Sequence, residues 1–157
     1  MLDKVDFPLT NSQISNFFLE KDYTDYFRVQ EVITDLENAD LIISQTTHSN
    51  TRYSLTAAGK ETLGFFLDKI NEGIVDDVIA YFSENRLSMK EENSIIADYY
   101  KTTGQKYAVR CQALSNSAPV IDLTISVYTK EQAEAICTNW KKHHQDIYEF
   151  LMDVLIQ

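Results

Sequence analysis

The chain has 157 residues, of which 44% are hydrophobic and 11% aromatic, with only four glycines and two prolines. This length and composition are typical of a globular protein and exclude extensive disorder. Its 14 basic and 24 acidic residues give a net charge of −10, the wrong sign for a protein that holds nucleic acid by bulk positive charge. Any contact with DNA must therefore depend on local geometry.

Two helices are predicted near the start of the chain. Thr10-Asn11-Ser12-Gln13 has the pattern of a capping box and predicts a helix that runs to about residue 21. A polar break over 22–24 separates it from a second predicted helix over 25–39. The inward residues of the second helix recur at three- and four-residue steps and are Val29, Val32, Ile33 and Leu36. Two helices joined by a short turn have the layout of a helix-turn-helix.

A β-hairpin is predicted directly after these helices. Residues 41–47 and 51–55 favour strands, and the polar residues 48–50 between them favour a turn. Thr56 is then predicted to cap a third helix. Residue 71 is predicted to restart the chain as a helix to about residue 85, with Ile74, Val75, Val78, Ile79 and Phe82 directed inward.

The hydrophobic period changes to two in the second half of the chain. A strand over 95–102 and alternating segments over 106–113 and 121–128 predict a three-stranded antiparallel meander with one apolar face. Thr129 and Gln132 form a second capping box, which predicts a helix of about 27 residues over that face. The expected fold class is α+β, with an N-terminal winged helix-turn-helix and a C-terminal meander covered by helices. We place the two domains at residues 1–70 and 71–157.

A family resemblance supports this interpretation of the first domain. The stretch Tyr53-Ser54-Leu55-Thr56-Ala57-Ala58-Gly59, followed by Leu63, resembles the Tyr-x-Leu-Thr-x-x-Gly junction of PadR-like and MarR-like winged-helix regulators. Residues 36–42 are similar to the join between helix and strand in those families, with Ala39-Asp40 in place of the usual glycine. The resemblance covers residues 6–64 and implies a DNA-binding transcription regulator.

The start of the chain departs from that family pattern. Winged helices normally have a helix ahead of the one that begins near Thr10, and here only residues 1–5 precede Asp6-Phe7-Pro8. Two explanations are open at this point. Either the natural protein begins further upstream, or another element, such as the predicted helix over 130–156, fills the gap in the core.

The resemblance implies that the second helix lies in the major groove of DNA and that the hairpin reaches along the backbone. On that helix Arg28 and Gln30 suit guanine and adenine, while Thr34 and Asn38 suit base edges or phosphate. The remaining candidate contacts are the residues of the hairpin and of the first helix N-terminus, namely His48, Asn50, Arg52, Asn11, Ser12 and Gln13.

The charge distribution leaves an alternative open. Residues 1–64 contain ten acidic and five basic residues, and Glu31 and Asp35 flank the predicted contact surface. The same helix face can be an ordinary solvated surface, and the module can bind a protein instead of double-stranded DNA. A ligand-sensing role for the second domain is a further possibility.

The long C-terminal helix also carries a prediction. Its apolar stripe is wider than a three-stranded sheet needs, so a homodimer is expected. The expected interface residues are Trp140, Ile147, Phe150, Leu151 and Val154. The alternative is that the rest of the same chain buries the whole stripe.

Overall fold

A computed structural model describes residues 1–47, 50–116 and 118–156. The chain is α+β and forms two compact units, Met1–Lys90 and Glu91–Gln157. The described residues form five α-helices and two three-stranded antiparallel sheets. Among these helices none combines the length and the apolar character that a membrane crossing requires.

The first unit begins with a 3-10 turn at Leu2–Lys4 and then alternates short strands with helices. Its elements are β1 (Leu9–Thr10), α1 (Asn11–Glu20), α2 (Tyr26–Asn38), β2 (Ile42–Thr46), β3 (Thr51–Leu55), α3 (Ala57–Phe66) and α4 (Glu72–Ser94), of which α4 continues beyond the unit. The sheet order is β1-β3-β2, and both pairings are antiparallel. The two predicted helices and the predicted hairpin are confirmed, whereas β1 was not predicted.

The core of the first unit forms around α1. Phe17 and Leu9 are completely buried, and the inner faces of α2 and the sheet contribute Val29, Ile33 and Tyr53 to the same cluster. Burial of side chains of this size contributes about 1.5–3 kcal/mol each. The apolar spacing of α1 and α2 therefore produces the packing that it predicts at these positions.

Helix α4 corrects the predicted domain boundary. Val78, Phe82 and Met89 belong to the core of the first unit, so this unit extends to Lys90 rather than to residue 70. Ile79 is largely exposed, so its predicted inward position is wrong. Its side chain is turned roughly 100° around the helix axis from that of Val78, which points into the core. The helix also runs past the predicted end at residue 85 and leads directly into the next strand.

The N-terminal residues cover only part of the core of the first unit. The side chains of Met1, Leu2, Val5 and Phe7 pack against the core. An apolar cavity of about 340 Å³ remains, and it is lined by residues of the N-terminal turn, α1, α2 and α3, among them Leu2, Phe18, Leu36, Leu63 and Phe66. Helix 130–156 belongs to the other unit and packs on the sheet there.

Thr56 and Gly59 fix the junction between β3 and α3. The Thr56 hydroxyl accepts a hydrogen bond from the amide of Gly59 at 2.9 Å and donates to the carbonyls of Asp40 and Leu41, at 2.8 and 3.0 Å. A Cβ added to Gly59 would lie 1.9 Å from the carbonyl oxygen of Leu41. These contacts therefore hold the start of α3 against Leu41, which precedes β2, and only glycine fits at position 59.

The second unit contains one sheet and one helix. The strands β4 (Ile95–Lys101), β5 (Tyr107–Ser115) and β6 (Ala118–Val127) pair in the order β4-β5-β6, and α5 (Lys130–Leu155) follows. The predicted meander and C-terminal helix are confirmed. The predicted capping box at the start of α5 is also present, with the Thr129 hydroxyl accepting from the amide of Gln132 at 3.2 Å.

Helix α5 covers one face of this sheet. Val109 and Cys111 of the central strand are completely buried, together with Ala133 and Trp140 of the helix. Burial raises the pKa of the Cys111 thiol to about 11, which keeps the sulfur protonated at neutral pH. The opposite face has a polar centre, where the Arg110 Nε donates to an Asp122 carboxylate oxygen at 2.9 Å.

Candidate nucleic-acid interface

The N-terminus of α1 is held by hydrogen bonds within its own first turn. The Thr10 hydroxyl accepts from the amide of Gln13 at 3.2 Å, and the Gln13 side-chain oxygen accepts from the amide of Thr10 at 3.0 Å. Gln13 is only 6% exposed. The prediction that Gln13 contacts DNA is therefore wrong, because the capping box needs this side chain. Ser12 is exposed at the same helix end.

A network of amide side chains fixes α1 against α2. The Gln30 Nε2 donates to the Asn11 Oδ1 at 3.0 Å and to the Ser15 hydroxyl at 3.2 Å, while the Asn11 Nδ2 donates to the Gln30 Oε1 at 2.7 Å. Both ends of the Gln30 amide are thus engaged inside the protein. The predicted bidentate contact of Gln30 with adenine would require the side chain to break these bonds. Asn11 is committed to the same network.

The cation on the outer face of α2 is paired within the helix. Arg28 donates from Nη1 to a Glu31 carboxylate oxygen at 2.6 Å, and both side chains are exposed. The hydrogen bond to Glu31, together with the nearby Asp35 and Asp25 carboxylates, raises the pKa of Arg28. Arg28 therefore stands in acidic surroundings, and its charge is locally balanced.

The remaining predicted contacts on α2 are exposed. The Thr34 hydroxyl donates to the backbone carbonyl of Gln30 at 2.9 Å, which leaves its oxygen lone pairs toward solvent. Asn38 is exposed at the last residue of the helix. These two side chains have the accessibility that the prediction requires.

Two exposed aromatic side chains lie near the start of α2. Phe27 is 82% exposed, and the ring of Tyr26 lies edge-on to it with centroids 6.1 Å apart. Val32 is also exposed, so its predicted inward position is wrong. The sequence signal was ambiguous because Val32 adjoins Ile33 and both fit an apolar helix stripe, although only Ile33 reaches the core.

The hairpin places one arginine beside the start of α1. Arg52 lies on β3 opposite Thr10 of β1 and Gln45 of β2. Its Nε is buried and has no hydrogen-bond partner among the described residues. Burial lowers the pKa of Arg52, although a guanidinium stays charged at neutral pH. The buried Nε is out of reach of an external anion, so a phosphate contact by Arg52 would have to use the terminal nitrogens of the guanidinium.

The turn of the hairpin is partly described. The Asn50 carbonyl accepts from the amide of Thr47 at 2.8 Å, and the Asn50 amide donates to the Thr47 hydroxyl at 3.2 Å. Asn50 therefore closes the turn, as turn residues of this type commonly do. His48, the other predicted contact, lies outside the described residues.

The predicted dimer interface on α5 divides into two parts. Trp140 is 3% exposed and donates from Nε1 to the Gln112 carbonyl at 3.1 Å, and Ile147 packs against the same core. Trp140 therefore belongs to the core of its own chain, and its assignment to an interface is wrong. Phe150 and Val154 are exposed, and Leu151 is half-buried.

The family comparison covers nearly the whole chain. A family model described as "Domain of unknown function (DUF4364)" matches residues 1–155. The chain belongs to the DUF4364 family. No curated protein and no solved structure matches it. The match extends over both units, so the DUF4364 domain comprises α1, α2, the β2–β3 hairpin, the meander and α5 together.

Proposed function

We propose that residues 1–66 form a winged helix and that this DUF4364 protein is a DNA-binding transcription regulator. The observation that supports the proposal is the order and packing of α1, α2 and the β2–β3 hairpin. Helix α2 buries one face through Val29 and Ile33 and leaves the other face open along its length. In this proposal the open face of α2 enters the major groove, and the hairpin contacts the DNA backbone.

The surface chemistry limits how such a complex is held. Among the predicted contacts in the described residues, Arg28 and Arg52 are the cations. An exposed ion pair such as that of Arg28 with Glu31 is worth only about 0–1 kcal/mol, so a phosphate can compete with Glu31 for the guanidinium. Two phosphate contacts predict that log Kobs falls with log salt concentration with a slope of about −2.

The resemblance to PadR-like and MarR-like regulators is consistent with this role, and the Thr56–Gly59 junction gives the shared residues a structural purpose. That junction sets where α3 begins relative to the end of α2. It does not touch the candidate contact residues. The resemblance therefore supports the winged helix more directly than it supports any particular ligand.

Fluorescence anisotropy with a labelled mixed-sequence duplex tests the proposal. We expect binding at low salt with a slope of about −2, and each of Arg28→Ala and Arg52→Ala should lower the magnitude of that slope by about 1. Arg110→Ala is the matched control, because it removes an equal charge from an exposed arginine of the second unit. Failure to bind at low salt, or an equal loss with Arg110→Ala, would contradict DNA binding through α2 and the hairpin.

A second candidate function is favoured by the exposed aromatic pair of Tyr26 and Phe27. These side chains lie beside the carboxylates of Glu31 and Asp35, and an exposed aromatic anchor with a charged rim is typical of protein interfaces. The partner would be a basic segment with an apolar anchor. An arginine-rich amphipathic helical peptide is a suitable probe, since its binding should be weakened about tenfold or more by Phe27→Ala. Peptide binding without duplex binding would select this function over the first.

A further inference from the structure

Strand β6 is a long sheet edge without a partner on its outer side. It spans ten residues, Ala118–Val127, and pairs with β5 alone within the described part of the chain. Its single charged side chain is Asp122, which the Arg110 guanidinium and the Gln112 amide hold on the polar face of the sheet. Sheet edges commonly carry lysines, kinks or covering loops that prevent pairing with another chain. Pro119 provides such protection only near the start of β6.

Two other edge strands of the sheets, β4 and β2, differ from β6. Strand β4 carries Asp98 and Lys101, and strand β2 has only five residues. Protection of an edge by charge or by shortness is therefore present at β4 and β2 and missing along most of β6. The difference singles out β6 as an edge that suits strand addition.

The apolar face of the sheet is also incomplete at β6. Val109 and Cys111 on β5 are completely buried, whereas Ile125, which lies opposite Val109 in the register, is 41% exposed. Helix α5 packs mainly over β4 and β5 and leaves β6 less covered. The backbone edge and the apolar side chains are thus uncovered at the same strand.

The sequence of β6 is complementary to itself. In antiparallel pairing about a two-fold axis at Thr124, Leu123 lies opposite Ile125 and Ile121 lies opposite Val127 of a second copy, all on the apolar face. On the polar face Thr124 meets its own equivalent, and Asp122 lies opposite Ser126. No like charges are opposed, which matters for two chains that each carry a net charge of −10.

We infer that the chain forms a two-fold homodimer in which β6 pairs with β6 of a second copy and the two sheets join into one of six strands. This interface differs from the α5 stripe expected from sequence, since Trp140 of that stripe is buried within its own chain. The inference does not depend on DNA binding. The dimer can form whether the first unit binds a duplex, a protein or neither.

Sedimentation velocity of the full chain over a concentration series tests the dimer. We expect a species of twice the 18.1 kDa chain mass in the micromolar range. Thr124→Lys and Thr124→Glu each set like charges against each other across the axis, and each should raise the dimer dissociation constant roughly fivefold. An equimolar mixture of the two variants should restore the dimer, because opposite charges then meet at the axis.

Ser126→Lys is the matched control, since it introduces the same lysine side chain on the same exposed face of the same strand. In the inferred register its ammonium group lies opposite Asp122 of the second copy, so the dimer should be retained or strengthened. Far-UV circular dichroism verifies that each variant is folded. A chain that stays monomeric up to high micromolar concentration overturns the inference. A dimer that is equally sensitive to Thr124→Lys and Ser126→Lys, or insensitive to both, also overturns it.

Discussion

In the first unit, helices and a sheet enclose the core from several sides, whereas in the second unit the core lies on one face of a single sheet. In the first unit, Phe17 of α1 is buried among side chains from two other helices and from the sheet. In the second unit, Val109 and Cys111 of β5 are buried beneath α5. The first arrangement leaves helix faces and a hairpin as its free surfaces, and the second leaves a strand edge. The two units are therefore suited to different kinds of binding partner.

The largest change in the free energy of unfolding is expected for a substitution in α5 of the second unit. Because Trp140 of α5 is buried against the apolar face of the sheet, Trp140→Ala should lower the free energy of unfolding by about 3–5 kcal/mol. Phe150→Ala on the same helix removes an aromatic ring that is 65% exposed and should change it by no more than about 0.5 kcal/mol. Chemical denaturation of both variants measures the difference. Equal losses would mean that the apolar stripe of α5 is uniformly buried, as an interface along the whole stripe requires.

The first unit is predicted to be most sensitive at the junction between α3 and the end of α2. Gly59→Ala places a methyl group against the Leu41 carbonyl and should lower the free energy of unfolding by about 2–3 kcal/mol. Gly64→Ala in the same helix is the control, because a Cβ at Gly64 meets no atom within 4 Å. Alanine also favours helix over glycine by about 1 kcal/mol, so this control should be stabilised. A stable Gly59→Ala variant would rule out the close approach of α3 to Leu41.

The smallest expected effects come from one turn in each unit. Gln105 follows β4 with φ 63°, and Asp40 follows α2 with φ 55°, and both conformations favour glycine. Gln105→Gly should therefore raise the free energy of unfolding by about 0.5–1 kcal/mol. Asp40→Gly should gain less, since aspartate tolerates this region better than glutamine does. The reverse order in thermal unfolding would mean that the Asp40 turn is the more strained of the two.

Much of the fold could be predicted because its signals are local. Thr10 with Gln13, and Thr129 with Gln132, show the two capping boxes within four residues each. The alternation of β5 and β6 likewise needs no distant information. Strand β1 was not predicted because two residues carry no periodicity. The length of α4 was not predicted because residues 86–94 are mostly polar, with only Met89 of their apolar residues buried.

The candidate site was less predictable because its decisive contacts join distant parts of the chain. Gln30 and Asn11 are 19 residues apart, and nothing in the spacing of either helix indicates that their amides pair. The burial of Trp140 was expected from the apolar stripe, but the stripe does not say whether the covering surface comes from the same chain. The pairing of Arg28 with Glu31 was the exception, since three-residue spacing on a helix predicts such contacts.

We propose that α2 and the β2–β3 hairpin form the surface of this protein that contacts DNA. Hydrogen–deuterium exchange of the full chain, with and without a mixed-sequence duplex at low salt, tests it most directly. We expect added protection in Tyr26–Asn38 and Thr51–Leu55, with no change in Tyr107–Ser115. Protection confined to the second unit, or exchange that the duplex leaves unaltered everywhere, would contradict the DNA-binding role.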